Sequence, residues 1–169
     1  MKTSEYSGIC AILLCLLLLT CNKSPDYPTD DLLTAPESIE IDGRDFVMET
    51  VFHRIFGSSG PPDGYPMFGL IWIIATDSLP FPSSLDADFL WVINDMHDVW
   101  VTDLDLWITE LDDDFKMIED NKLNILITDG PKWDTTTSPM LVDVIVRLVD
   151  SADNKYLLRA ADQAVTVTR

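Results

Sequence analysis

Residues 142–160 read VDVIVRLVDSADNKYLLRA, and they alternate before they turn. Val142, Val144, Val146 and Leu148 fall on one side of an extended chain while Asp143 and Arg147 fall on the other, the period of two that a strand imposes on its side chains. β-Branched residues dominate the run, and they pack well on a pleated surface. Asp150-Ser-Ala-Asp-Asn-Lys155 then concentrates turn-forming residues before Tyr156-Leu-Leu-Arg-Ala160 resumes an apolar course. A hairpin is the expected result. The tail Ala164-Val-Thr-Val-Thr-Arg169 alternates again, so the chain is expected to finish in or beside the sheet.

Working back from this hairpin, short β-rich runs alternate with turn clusters from Ser38 onward. Ile39-Glu-Ile-Asp42 alternates, Gly43-Arg44 interrupts it, and Phe46 to Phe56 continues as strand. Gly57-Ser-Ser-Gly-Pro-Pro-Asp-Gly64 makes a loop. Met67 to Thr76 is apolar at both parities, which predicts a central core strand covered on both faces. Ser78-Leu-Pro-Phe-Pro-Ser-Ser84 lacks ladder donors at its prolines and predicts a crossover between sheets. Phe89 to Ile93 is a strand, Asn94-Asp-Met-His-Asp98 turns the chain, and Val99 to Thr109 returns as strand. Leu111 to Glu119 is acidic and predicts at most a helical turn, and Leu123 to Thr128 is a further strand. No crossover helices separate these runs. The expected class is all-β, an antiparallel β-sandwich of seven to eight strands over residues 38–169, with a small closed β-barrel as the alternative. The terminal hairpin Val-Arg-Leu-Val-Asp-x-x-Asp-Asn-Lys-Tyr is similar to the closing hairpin of immunoglobulin-like domains in bacterial surface proteins, and that resemblance implies an immunoglobulin-like sandwich.

The front of the chain has a different character. A single Lys2 precedes the apolar run Ile9 to Leu19, which is followed by Thr20 and Cys21. A bilayer-spanning helix needs about 20 apolar residues, so this run is too short to span and fits the core of a targeting segment. All three cysteines, Cys10, Cys15 and Cys21, lie in this region. The rest of the chain therefore has no internal disulfide and no cysteine-based zinc site. Leu18-Leu19-Thr20-Cys21 resembles the lipobox of the type II signal peptide of bacterial lipoproteins. The resemblance implies that residues 1–20 are removed and that Cys21 carries a diacylglycerol thioether and acyl chains as a palmitate-type membrane anchor. Two or more chains suffice for stable attachment, at about 0.8 kcal/mol per buried methylene. It also implies a bacterial cell-envelope location, with the outer membrane as the expected membrane. The alternative is an ordinary secretory leader cut near Thr20. Residues 22–37 (NKSPDYPTDDLLTAPE) have no period of either kind, and with Pro25, Pro28 and Pro36 they read as an acidic flexible tether.

The formal net charge is −18, and removing Lys2 and Glu5 with the leader leaves it there. Nucleic acid is excluded as a natural partner, because phosphate backbones require a cationic footprint. The standard motifs for nucleophile elbows, phosphate loops, zinc helices and dinucleotide turns are missing. Candidate chemistry is confined to three places. Asp95, His97 and Asp98 share a turn, where Asn and Asp are favoured for conformational reasons alone. Asp103 and Asp105 share one strand face in an acidic stretch continuing to Glu110 and Asp112–Asp114, a set that suits weak calcium binding or simply a solvated face. Of Trp91, Trp100, Trp107 and Trp133, only Trp107 shares the parity of those aspartates, which makes it the candidate glycan contact. The expectation is a non-enzymatic, membrane-anchored lipoprotein presenting an acidic domain to an envelope protein. A carbohydrate- or calcium-dependent binding module is the second expectation, and an enzyme with an unrecognised site the third.

Overall fold

A computed structural model of the chain describes residues 27–57, 60–61, 64–107, 116–133 and 140–168. The closing hairpin is formed by β8 (Met140–Asp150) and β9 (Lys155–Thr168), paired antiparallel from Val149↔Lys155 to Met140↔Val165. Asp150 organises its turn: its carboxylate accepts from the Ala152 and Asn154 N–H groups at 2.8 and 2.9 Å, from Asn154 Nδ2 at 2.7 Å and from the Tyr156 hydroxyl at 3.0 Å.

The remaining strands are β1 (Ser38–Ile41), β2 (Arg44–Ile55), β3 (Phe68–Ala75), β4 (Leu85–Asn94), β5 (Val99–Asp103), β6 (Lys116–Glu119) and β7 (Lys122–Ile127). Two short helices join them, α1 (Thr29–Leu33) and α2 (Leu104–Trp107). The expected all-β class holds. The strands follow one hydrogen-bonded path, β5-β4-β8-β9-β2-β3-β7-β6, with β1 added to β2. This path curls into a half-barrel. Its two arms, β5-β4-β8-β9 and β2-β3-β7-β6, face one another across a single core. Phe46, Phe52, Ile71, Ile73 and Ile125 of one arm pack with Leu90, Val92, Val144, Val146 and Leu158 of the other.

The strand β2 joins the arms. Its Phe46–His53 portion pairs antiparallel with β3, while Phe52–Ile55 pairs with Val165–Thr168 of β9. The second pairing is parallel, so the expected purely antiparallel arrangement is corrected to a mixed one. Between β1 and β2 the chain reverses through Asp42 (φ 53°) and Gly43 (φ 75°), the left-handed pair that a two-residue hairpin turn requires. The proline-rich segment between β3 and β4 crosses from one arm to the other, as its missing donors predict.

Four further expectations are revised. β5 ends at Asp103 and not near Thr109, because Leu104 turns into the core at 3% exposure and α2 begins there. Lys116–Glu119, expected in a helical turn, is the edge strand β6, paired with Lys122–Ile125. The core strand read at Met67–Thr76 is covered on one face only: Gly69, Ile71, Ile73 and Ala75 are buried, while Phe68, Leu70, Trp72 and Ile74 on the other face are half-buried.

The fourth concerns the tether, which is not free chain over residues 27–36. Leu32 (1% exposed) and Ala35 join Trp91, Ile93 and Ile145 in a second apolar cluster on the outer face of the β4-β8-β9 arm. A five-residue helix is marginal alone, so α1 is held by this packing. Asp30 and Asp31 in its first turn suit the positive end of its dipole. Arg159 secures the segment by donating its backbone N–H to Pro36 O at 2.9 Å and a guanidinium N–H to Leu33 O, while Asp143 accepts from the same guanidinium at 2.8 Å.

Candidate functional site

The acidic pair comes first. Asp103 closes β5, and its Oδ1 accepts the Asp105 backbone N–H at 2.9 Å, which starts α2. Asp105 Oδ1 is 3.0 Å from Lys116 Nζ, and the same ammonium meets Asp86 at 3.0 Å and Ala87 O at 3.0 Å. The Lys116 side chain is 8% exposed, while its two carboxylate partners are about 60% exposed. This is a largely desolvated cation tied to solvated anions, bridging β6 to β4 and α2. The two aspartates therefore do not share a strand face, and each has a structural task. Lys116 was invisible to sequence spacing because its partners lie on elements far apart in the chain. Among the described residues no group of three or more His, Cys, Asp or Glu is arranged to hold a metal ion.

The turn after β4 is built by Asn94. Its buried side chain accepts the Met96 and Asp98 N–H groups at 3.0 and 2.8 Å and donates to Asp98 Oδ2 at 3.1 Å. His97 takes a left-handed φ of 65°, and Asp95, His97 and Asp98 are all exposed. The arrangement is that of a turn held from one asparagine, with the histidine facing solvent.

The tryptophans divide. Trp91 is 2% exposed, with Tyr27 edge-on to its ring at 5.5 Å and Phe89 stacked at 5.8 Å. Trp100 and Trp133 pack half-buried against the main core. The Trp107 side chain, the Glu110 and Asp112–Asp114 carboxylates, and Cys21 lie outside the described residues. Beside Trp91, the Arg147 guanidinium lies 4.6 Å over the Phe89 ring and holds Asp88 through two bonds of 2.8 and 2.5 Å. The bond to Asp88, with a smaller part from the Tyr27 hydroxyl, keeps this guanidinium charged more firmly than usual.

The two outer faces of the molecule thus differ. The outer face of β4-β8-β9 is covered by residues 27–36. The outer face of β2-β3-β7 has no covering element among the described residues. Across it the register aligns Val51, Leu70 and Leu126 in one row, and Glu49, Trp72 and Asn124 in the next. Val51 is 43%, Ile55 38% and Leu126 37% exposed. His53 stacks on Phe68 at 5.6 Å. At one end the face dips into an apolar groove of about 400 Å3 lined by Ile55, Tyr65, Pro66, Phe68, Leu126 and Thr128. Contiguous apolar surface beyond a few hundred Å2 can mark an interaction site. The apolar residues of β3 predict cover on both faces; only the tertiary arrangement separates a covered face from an open one.

No helix among the described residues is long and apolar enough to cross a membrane. Comparison with protein-family models, with curated proteins and with solved structures finds no match.

Proposed function

We propose that the protein is a bacterial cell-envelope lipoprotein, anchored through lipid on Cys21, whose body is a non-enzymatic immunoglobulin-like domain that presents a surface to another protein. The observation that carries this reading is the apolar run Ile9–Leu19 closing on Leu18-Leu19-Thr20-Cys21, with every cysteine of the chain in that region. The finer fold reading draws on the strand succession. In an immunoglobulin-like sandwich the first strand leads one sheet, followed in space by the second, fifth and fourth, while the third, sixth and seventh form the other. Counting from β2 as the first and β5 as the added strand beside the third, β2-β3-β7-β6 and β5-β4-β8-β9 have that order, and β2 is shared between them. A presenting role is further supported by the engagement of Asp103, Asp105 and Asn94 in capping, ion pairing and turn formation, and by the open apolar face.

The test is metabolic labelling of the full chain with a palmitate analogue in a bacterial host, followed by membrane fractionation. Labelled, membrane-bound wild type and an unlabelled Cys21→Ser variant are expected. Equal labelling of both, or wild type recovered free of lipid in the soluble fraction, ends the proposal.

A further inference from the structure

We propose that residues 27–36 are a releasable strap: they leave the outer face of β4-β8-β9 as one unit while the sheet beneath stays folded, and in a lipid-anchored chain this release changes how far the body reaches from the bilayer. The effect on reach rests on the lipoprotein reading; the release itself does not.

Strap and body are held by different means. Among the described residues, those from 27 to 36 belong to no strand. The apolar side chains they bury, Leu32 and Ala35, join the outer cluster with Trp91, Ile93 and Ile145 and not the main core. The hydrogen bonds of α1 are internal, from Leu32 N to Pro28 O at 3.2 Å and from Thr34 N to Asp30 O at 3.1 Å. Its backbone is tied to the body at Arg159, which reaches Pro36 O with its N–H and Leu33 O with its guanidinium. What the strap leaves behind is secured without it. Asp143 accepts from Arg159 Nε and Nη2 at 3.0 and 2.8 Å, Asp88 holds Arg147, and Phe89 stacks on Trp91 at 5.8 Å. The strands β4 and β8, which carry Trp91, Ile93 and Ile145, are each paired on both sides. Release therefore breaks no rung of the sheet and opens no void in the main core. It exposes one apolar cluster, and the five-residue α1 melts as it leaves, regaining chain entropy that offsets part of that exposure.

The contacts also lie in series. Tyr27 meets Trp91 of β4, Leu32 lies in the cluster that Ile145 of β8 completes, and Leu33 and Pro36 meet Arg159 of β9. Tension arriving from the Cys21 side lifts them one after another. It is checked at β1, whose ladder with β2 includes Ser38↔Val47 and whose Ile41 is 5% exposed in the main core. With the strap closed, six residue steps separate Cys21 from the body, about 20 Å at most; with it open, sixteen steps to Glu37 span about 50–60 Å. An anchored body thus has a short and a long state with the same fold.

The experiment is hydrogen exchange of the full chain in detergent micelles, read amide by amide by NMR, in wild type and in Ile73→Val. Ile73 is fully buried in the main core on the opposite arm, so the variant loosens the body without touching the strap. The Leu32, Thr34 and Ala35 N–H groups, with the Arg159 N–H that meets Pro36 O, are expected to exchange together. Their exchange should be at least about a hundredfold faster than that of Val146 and Leu148 in β8, since local opening precedes global unfolding. Ile73→Val should speed β8 about two- to tenfold and leave the strap set unchanged. Strap amides that exchange at the β8 rate, that speed up with Ile73→Val, or that show no protection at all each overturn the proposal. Palmitate labelling of the same samples separates the two readings. A labelled chain whose strap follows β8 keeps the lipoprotein and removes the strap, and an unlabelled chain whose strap opens alone keeps the strap and removes its effect on reach.

Discussion

Replacing Leu32 by alanine tests whether the segment ahead of the sheet is part of the folded body. Leu32 is 1% exposed and lies among Ala35, Trp91, Ile93 and Ile145. In a rigid core a Leu→Ala change costs about 2–5 kcal/mol, the upper end applying where a cavity persists. Here α1 has only five residues and two principal polar ties, to Leu33 O and Pro36 O from Arg159. The segment can leave the sheet instead of holding a void, so the loss is capped by its own docking free energy. The transfer value of one buried leucine, about 1.5–3 kcal/mol, sets the expected size. Urea unfolding of the variant should show stability lower by about 2 kcal/mol. Its m-value should also fall slightly, because the native state now exposes surface the wild type buries. Trp91, whose ring meets Tyr27 at 5.5 Å, should shift its emission to the red. Asp31→Ala, at an exposed position of the same helix, should do neither. An unchanged midpoint together with unchanged Trp91 emission would refute the docked segment.

Three further outcomes follow from the geometry. Asp86→Asn combined with Asp105→Asn leaves the Lys116 ammonium with neutral acceptors only, and should cost about 1–3 kcal/mol in urea unfolding; Lys116→Met, which releases two solvated carboxylates, should cost less, and the opposite ranking would contradict the bridging role. The carboxyls of Asp77, held below the ordinary range chiefly by Arg44, and of Asp150, held down chiefly by Asn154, bind protons less readily in the folded state. Their contribution is complete above the unfolded carboxylate value near pH 4 and is lost as pH falls through their lower folded values, so Asp150→Asn should flatten the acid limb of the stability profile, and an identical limb would count against it. Gly69→Ala places a Cβ 2.4 Å from the Phe52 ring and 2.5 Å from Val51 O; because backbone cannot yield as a side chain does, a loss of about 1–3 kcal/mol is expected in thermal unfolding, and a neutral variant would show that β2 and β3 are less closely packed.

What the sequence made legible was what period and turn chemistry encode locally. Val142, Val144, Val146 and Leu148 alternate over a long run, and β8 lies where they predict. Asp42-Gly43 and the Asn94–Asp98 cluster are turns because their residues tolerate left-handed φ or bond their own backbone. Long-range effects were not legible. Asp103 and Asp105 have the spacing of one strand face, yet Leu104 goes into the core and converts the strand to a helical turn. Residues 27–36 lack a period because five helical residues are too few to display one, and their ordering comes from Trp91 and Ile145 far along the chain. In β3 the same alternation of apolar residues describes a face packed on the core and a face left open, since composition does not record whether a second layer exists.

The docked segment changes what an anchor at Cys21 would do. A tether running to Glu37 would let the body stand as much as about 50–60 Å from the bilayer. With Tyr27 edge-on to Trp91 and Leu32 buried, the span from Cys21 to the body is six residue steps, at most about 20 Å. An acidic body is repelled by anionic headgroups, so in an anchored chain this short link would work against that repulsion. The open β2-β3-β7 face lies on the other side of the core from the covered one. Leu32→Ala then has a second consequence in an anchored chain: freeing residues 27–36 lengthens the link by roughly 30 Å at full extension. Energy transfer from a fluorophore on the exposed β4–β5 turn to a headgroup acceptor should fall in that variant. Transfer equal to wild type, in a sample whose Trp91 emission has shifted, would mean that the segment does not set the standing distance.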